Sequence, residues 1–209
     1  MKQRWKSIAL AACLIIGCAG ITLQADAKAV YRQQEIAGQV LRLHVRANSN
    51  SERDQEMKLM VKDRIISALL PYRQEMTDIN TSKEIIKEHT ALLKDAAYEV
   101  LAQYNSDYKI DINIGNEYFP VKEYGDVTLP EGNYEAVIVE IGQAQGKNWW
   151  CVLFPQLCFI DPAYGYVPEA SKAELKAQLS EETYDTMLDK EVQARFKLGE
   201  FFSGLLGSD

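Results

Sequence analysis

The sequence is short of the residues that most catalysis needs. Its 209 residues include two histidines, His44 and His89, and four cysteines, two of which, Cys13 and Cys18, lie in the N-terminal apolar stretch. His44, His89, Cys151 and Cys158 contain no close-spaced pair of the kind that holds zinc, so no metal is expected. Glycine-rich phosphate loops are missing as well. The one candidate, GQAQG at 142–146, has no helix start behind it, and no nucleotide or other cofactor is expected. Positive charge is also scarce: 23 Lys and Arg stand against 30 Asp and Glu, a formal net charge of −7. Such a balance argues against nucleic acid, or an anionic lipid surface bound by charge, as the partner. The chain has no repeats, no low-complexity tract and no linker that would separate two domains.

Long apolar runs are confined to the first 29 residues. Lys2, Arg4 and Lys6 precede an apolar stretch from Ile8 to Leu23, and Ala25, Ala27 and Ala29 follow, the pattern of an export signal cleaved after Ala27 or Ala29. Ile15, Ile16, Gly17 and Cys18 also resemble a lipobox around an acylated cysteine. An uncleaved membrane anchor is a third reading, although the run falls short of the roughly 20 residues that a spanning helix needs. Removing residues 1–29 takes four basic residues and one acidic residue with it, leaving 19 against 29 and a net charge of −10. Residues 30–209 suit a single domain able to bury its own core, and an acidic exported domain points to a protein partner.

What the chain does contain is one run around which the rest is organised, LRLHVRANSNSERDQEMKLMVKDRIISALL at 41–70. Alternation from Val40 to Ala47 predicts a half-buried strand, with Leu41, Leu43 and Val45 facing a core and Arg42, His44 and Arg46 facing the other side. Asn48, Ser49, Asn50 and Ser51 break it, because short polar side chains bond to nearby backbone. Ser51 and Asp54 have capping-box spacing, so a helix starts at Glu52, with Met57, Val61, Ile65, Ala68 and Leu69 on its apolar stripe and Asp54 paired with Lys58 on another face. Pro71 ends it.

Downstream, Val30 to Gly38 having been a short lead-in that is possible helix, Thr81 and Glu84 suggest a second long helix running to Tyr104, with His89 as an ordinary helix residue. Tyr108 to Ile114 alternates as a second strand closed by Gly115 and Asn116. An irregular third strand falls within Tyr118 to Leu129, a fourth spans Tyr134 to Gly142, and a fifth spans Asn148 to Phe154. The connections are short enough to make strands two to five an antiparallel meander. Helical composition returns over Glu169 to Leu179, and again from Ser180 and Thr183 towards Leu206, where Phe196, Phe201, Phe202, Leu205 and Leu206 pack on the sheet or dock to a membrane or partner. The expected fold is α+β: a mostly antiparallel sheet of about five strands, two long helices between strands one and two, and C-terminal helices.

The second unusual run is GKNWWCVLFPQLCFID at 146–161. On an unbroken strand, residues seven apart lie about 23 Å from each other. A Cys151–Cys158 disulfide, permitted outside the cytoplasm, therefore requires a turn at Pro155; the alternative is two buried thiols. Trp149 and Trp150 point to opposite strand faces, so one can be core while the other joins Arg42, His44 and Arg46 in a recognition face. The one catalytic arrangement to test is Cys151 as nucleophile, His44 as base and Asn148 or Asp54 as orienter, an envelope cysteine hydrolase or thiol-disulfide enzyme.

RLHVRANSNSERDQEMKLMVKDRI, followed about a hundred residues later by YFPVKEYGDVTLPEGNYEAVIVEIGQAQGKNWWCVLFPQLCFID, resembles the stage II sporulation protein R family of endospore-forming bacteria. The resemblance covers Leu41 to Asp161 and is looser beyond. It implies a signalling protein, not an enzyme. Such a protein is exported from the forespore into the space between forespore and mother-cell membranes, where it activates a membrane-embedded aspartic-type protease that processes the precursor of the mother-cell sigma factor. It carries over no catalytic residues. Arg42, His44, Asn48, Ser49, Asp54, Asn148, Trp149 and Trp150 match its motifs and are the candidate recognition residues.

Overall fold

A computed structural model describes residues 28–158, 167 and 169–188. The export signal, the lipobox and the apolar C-terminal segment 196–206 lie outside the described residues.

Helix α1 covers 28–39, so the lead-in is helical. Strand β1 (Leu41–Arg46) follows, then α2 (Glu52–Leu69), which begins where the sequence places it, Ser51 Oγ accepting from Asp54 N at 3.2 Å. A 3-10 turn at Leu70–Tyr72 carries Pro71 and closes α2. The expected second long helix is two, α3 (Ile79–Glu88) and α4 (Thr90–Gln103). Asp78, not Thr81, caps α3, its Oδ1 accepting from Asn80 N (2.8 Å) and Thr81 N (2.9 Å). The break falls at His89, whose backbone leaves the helical region (φ −99°, ψ 11°), while Thr90 Oγ1 donates to Ile86 O at 2.9 Å. A hydroxyl bonding back to the preceding turn in this way competes with the helical ladder.

Strand β2 runs from Ile110 to Phe119, past Gly115 and Asn116 where the sequence suggests an end. The expected irregular third strand is instead a separate hairpin, β3 (Lys122–Tyr124) and β4 (Val127–Leu129), turning at Gly125 with φ +60°. Strands β5 (Gly132–Ile141) and β6 (Asn148–Phe154) complete a four-stranded sheet of order β2-β5-β1-β6. Helices α5 (Glu169–Gln178) and α6 (Glu181–Leu188) close the described chain, with Ser180 Oγ accepting from Thr183 N at 3.4 Å.

The fold is α+β with a mostly antiparallel sheet, but the sheet is not a meander. β1 inserts between β5 and β6, parallel to the first and antiparallel to the second. The 142–147 connection must step across two strand spacings, about 10 Å, over the end of β1, a distance six residues span easily.

Insertion at the centre explains a second departure. β1 alternates as a half-buried strand, yet Arg42 is 0% and His44 2% exposed. Leu41, Leu43 and Val45 pack with Met57, Val61 and Ile65 of α2 and Leu93 and Val100 of α4. The opposite face is covered too, by Ile36 of α1, Phe119, Val127, Leu129, Tyr134 and Ile138, with Leu175 and Met187 of α5 and α6.

Candidate functional site

The segment from Ala47 to Lys58 forms a joint that holds three elements at once. Asp54, at the third position of α2, is 4% exposed and accepts from Asn48 Nδ2 (2.8 Å) and Ser49 Oγ (2.6 Å). Burial pushes its carboxyl up, but the bonds from Ser49, Asn48 and Ser51 outweigh burial and hold its pKa below the usual value. Commitment to Asn48 and Ser49 also overturns the expected Asp54–Lys58 pair. Lys58 Nζ donates instead to Gln55 Oε1 (2.8 Å) and to Lys147 O (3.1 Å).

The same joint seats the 142–147 connection. Asn48 Oδ1 accepts from Gln143 N (2.9 Å), Asn48 O from Gln145 N (3.2 Å), Ala47 O from Gly146 N (2.8 Å), and Asn50 Oδ1 from Lys147 N (2.7 Å). Gly142, at φ +61°, lies against the Asn48 side chain, and Gly146 lies against Ser49 backbone where no Cβ fits. The GQAQG run is thus a seat for the connection, its glycines answering close backbone approach.

Arg42 and His44 lie on the opposite face. The guanidinium of Arg42 is 4.1 Å from the Phe119 ring centroid and 4.8 Å from that of Tyr134, and Nη2 donates to Tyr124 Oη at 2.7 Å. Among the described residues no carboxylate bonds to it. His44 stacks on Trp150 (centroids 3.9 Å apart) and its Nδ1 meets a carboxylate oxygen of Glu117, whose other oxygen takes Arg46 Nη2. Arg46 Nη1 donates to Glu140 Oε1 at 2.7 Å. Burial lowers the His44 pKa more than the bond to Glu117 raises it. Arg42 and His44 are therefore covered and do not form the open face that alternation suggests; Arg46 alone of the three is partly open.

Glu117, Glu140, Phe119 and Tyr124 were not legible as neighbours of these residues. Glu117 and Phe119 lie beyond Gly115, where the alternation of Tyr108 to Ile114 closes, and the continuation of β2 along β5 as far as Phe119 brings them to His44. Trp149 and Trp150 do point to opposite faces, but each is half-buried: Trp149 packs with the α2 side, where Lys62 Nζ stands 4.5 Å from its ring, and Trp150 with the other. Asn148 is exposed at the start of β6.

Cys151 and Cys158 form a disulfide with Cα atoms 5.6 Å apart. The turn that permits it falls at Pro155, which follows a cis peptide bond, and Cys158 N bonds back to Val152 O at 2.9 Å. In register, Cys151 pairs with Leu43 and Trp150 with His44, so Cys151 and His44 point to opposite faces of the sheet. The expected Cys151–His44 dyad does not form, and Asp54, committed to its cap, orients neither residue. Among the described residues no group of three or more His, Cys, Asp or Glu is placed to hold a metal, and no helix is long and apolar enough to cross a membrane.

Fold and site together define an α+β protein whose most elaborated feature is a cross-braced polar strand–helix joint. The family model described as Stage II sporulation protein R (spore_II_R) matches residues 37–164, from the end of α1 through the joint, both tryptophans and the disulfide. Stage II sporulation protein R of Bacillus subtilis (strain 168) is 32% identical over 154 residues, which cover 74% of this chain and 67% of that protein. The chain belongs to the stage II sporulation protein R family, and its role lies in sporulation. No solved structure matches it.

Proposed function

We propose that this protein is an exported messenger of sporulation. It leaves the forespore, enters the space between the forespore and mother-cell membranes, and switches on a membrane-embedded aspartic-type protease of the mother cell that cleaves the precursor of the mother-cell sigma factor. The observation that carries this reading is the family match across the joint and the tryptophan run. The separation of Cys151 and His44 on opposite sheet faces supports it, since it removes the one catalytic pair that the sequence offered. The pattern of residues 1–29 supports export.

Activation of this kind is differential binding: the protein must bind the protease's active state better than its resting state. Moving that equilibrium from 1:99 to 99:1 takes about 10⁴-fold preference, roughly 5.5 kcal/mol. A rigid partner meets that demand with least loss of its own entropy, and a braced joint with a seated connection is rigid. The test is a heterologous cell carrying only the protease and the sigma precursor, with this protein delivered to the extracytoplasmic side. Processing rises when the protein is present; equal processing with and without it refutes the proposal.

A further inference from the structure

We propose that the corner formed by Lys58, Lys62, Lys147 and Trp149, where α2 meets the start of β6, is the docking point for a carboxylate-rich segment of a protein partner. The proposal rests on the reading that this protein acts by binding another protein. Hydrogen-bond donors dominate the corner. Lys58 is 5% exposed, and among the described residues its ammonium bonds only neutral oxygens, Gln55 Oε1 and Lys147 O. The acid one turn before it, Asp54, is taken by Asn48 and Ser49. Lys147 is exposed and its ammonium makes no ion pair among the described residues. Burial, and after it the nearby charge of Lys147, lowers the Lys58 pKa. Lys62 stands over the Trp149 ring, paired with Asp63, which is 61% exposed, and Trp149 Nε1 is buried with no acceptor.

A buried cation without a carboxylate is costly in a chain of net charge −7, where acids are plentiful. The missing acid is the feature an incoming one would supply. A long polyanion such as nucleic acid is repelled by the chain as a whole, whereas a short acidic segment senses only the field within about 8–10 Å. The backbone that carries Lys147 is already fixed by its bond to Asn50 and by its neighbours' bonds to Ala47 and Asn48, so little order is lost on docking.

Calorimetric titration of the full-length protein with hexaglutamate tests this. The expected result is saturable binding that weakens with added salt, at least tenfold weaker in Lys147→Glu and in Lys62→Glu, and unchanged in Lys87→Glu, an exposed lysine on α3. Lys147→Glu stays folded, with a urea midpoint no lower than wild type, because its ammonium has no partner to lose and the substitution removes a like charge from beside Lys58. Absence of binding, or an equal loss in Lys87→Glu, overturns the proposal. The processing assay separates the two readings. If Lys147-dependent hexaglutamate binding is seen but the protein does not raise processing, the messenger reading fails and the docking point stands. If processing rises equally with wild type and Lys147→Glu, the docking point fails alone.

Discussion

The cost of Gly146→Ala follows from how the 142–147 connection lies on the joint. A Cβ at this position would land on the carbonyl oxygen of Ser49 and come within 2.8 Å of Ala47 Cβ. The first obstacle is backbone, which cannot swing aside as a side chain does. To make room the connection must lift, and the bonds from Gly146 N to Ala47 O (2.8 Å) and from Gln145 N to Asn48 O (3.2 Å) lift with it. Overpacking costs about 1–3 kcal/mol, and each displaced backbone bond costs about 1 kcal/mol net, less where water replaces it. The expected loss is about 2–4 kcal/mol, which at a urea slope of about 2 kcal/mol per molar lowers the midpoint by about 1–2 M. Gly38→Ala is the control: a Cβ there meets nothing within 4 Å, and Gly38 lies in α1. Alanine is better than glycine inside a helix by about 0.5–1 kcal/mol, and less near an end, so this midpoint rises by up to about 0.5 M. The same chemical change thus has opposite signs at two positions. Equilibrium urea unfolding followed by circular dichroism reads both, and a Gly146→Ala midpoint equal to wild type with an unchanged slope refutes the claim that the connection is seated on the joint.

Two further perturbations probe the joint and the disulfide. Asp54 has a folded-state pKa held below its unfolded value, so its contribution to stability is present above the unfolded carboxylate range, about 3.9, and is lost as pH falls through the folded pKa. Asp54→Asn therefore lowers the urea midpoint at about pH 7 and flattens the loss of stability below about pH 4, measured as midpoints across that range; an unchanged acid limb counts against the assignment. The Cys151–Cys158 loop is short, with a sequence separation of 7, and chain-entropy arithmetic gives its bridge about 2.5 kcal/mol. The double replacement Cys151→Ser, Cys158→Ser lowers the midpoint by about 1 M and, under the proposed messenger role, is expected to raise sigma-precursor processing as wild type does at a temperature where it is folded; loss of processing in a folded variant would speak for thiol chemistry.

The α+β class, the strand at 41–46, the cap at Ser51, the stripe of α2 and the turn at Pro155 were all legible, because each rests on local chemistry: alternation, helical spacing, a hydroxyl three residues ahead of an acid, a proline between two cysteines. Strand order was not legible. A short connection between β5 and β6 reads as a hairpin, and nothing local says that a strand from a hundred residues earlier will lie between them. The solvent face assigned to Arg42 and His44 failed for the same reason. A polar side chain in an alternating strand is exposed only if nothing covers it, and here Phe119, Tyr134 and Glu117 arrive from other strands to take the guanidinium and the imidazole. The break at His89 turns on side-chain bonding that outweighs a continuous helical spacing.

The polar run RANSNSERD is conspicuous in sequence because it stands between two regular elements without belonging to either, and that suggests recognition. In the fold its side chains are spent internally. Asn48 uses its amide on Asp54 and its oxygen on Gln143 N, Ser49 donates to Asp54, Asn50 takes Lys147 N, and Ser51 caps α2. For a partner to engage Asn48, Ser49 or Asp54 directly, it would have to break bonds that hold β1, α2 and the β5–β6 connection in register, at a cost of about 1–3 kcal/mol for each bond to a charged or buried group. No such cost attaches to the exposed side chains of Gln143, Gln145 and Lys147, whose backbone the joint has already fixed. On the proposed reading of a protein that acts by binding, the economical division is that the joint sets the shape and the connection above it is left for the partner, so substitutions at 143, 145 and 147 are expected to alter binding while leaving the urea midpoint near wild type.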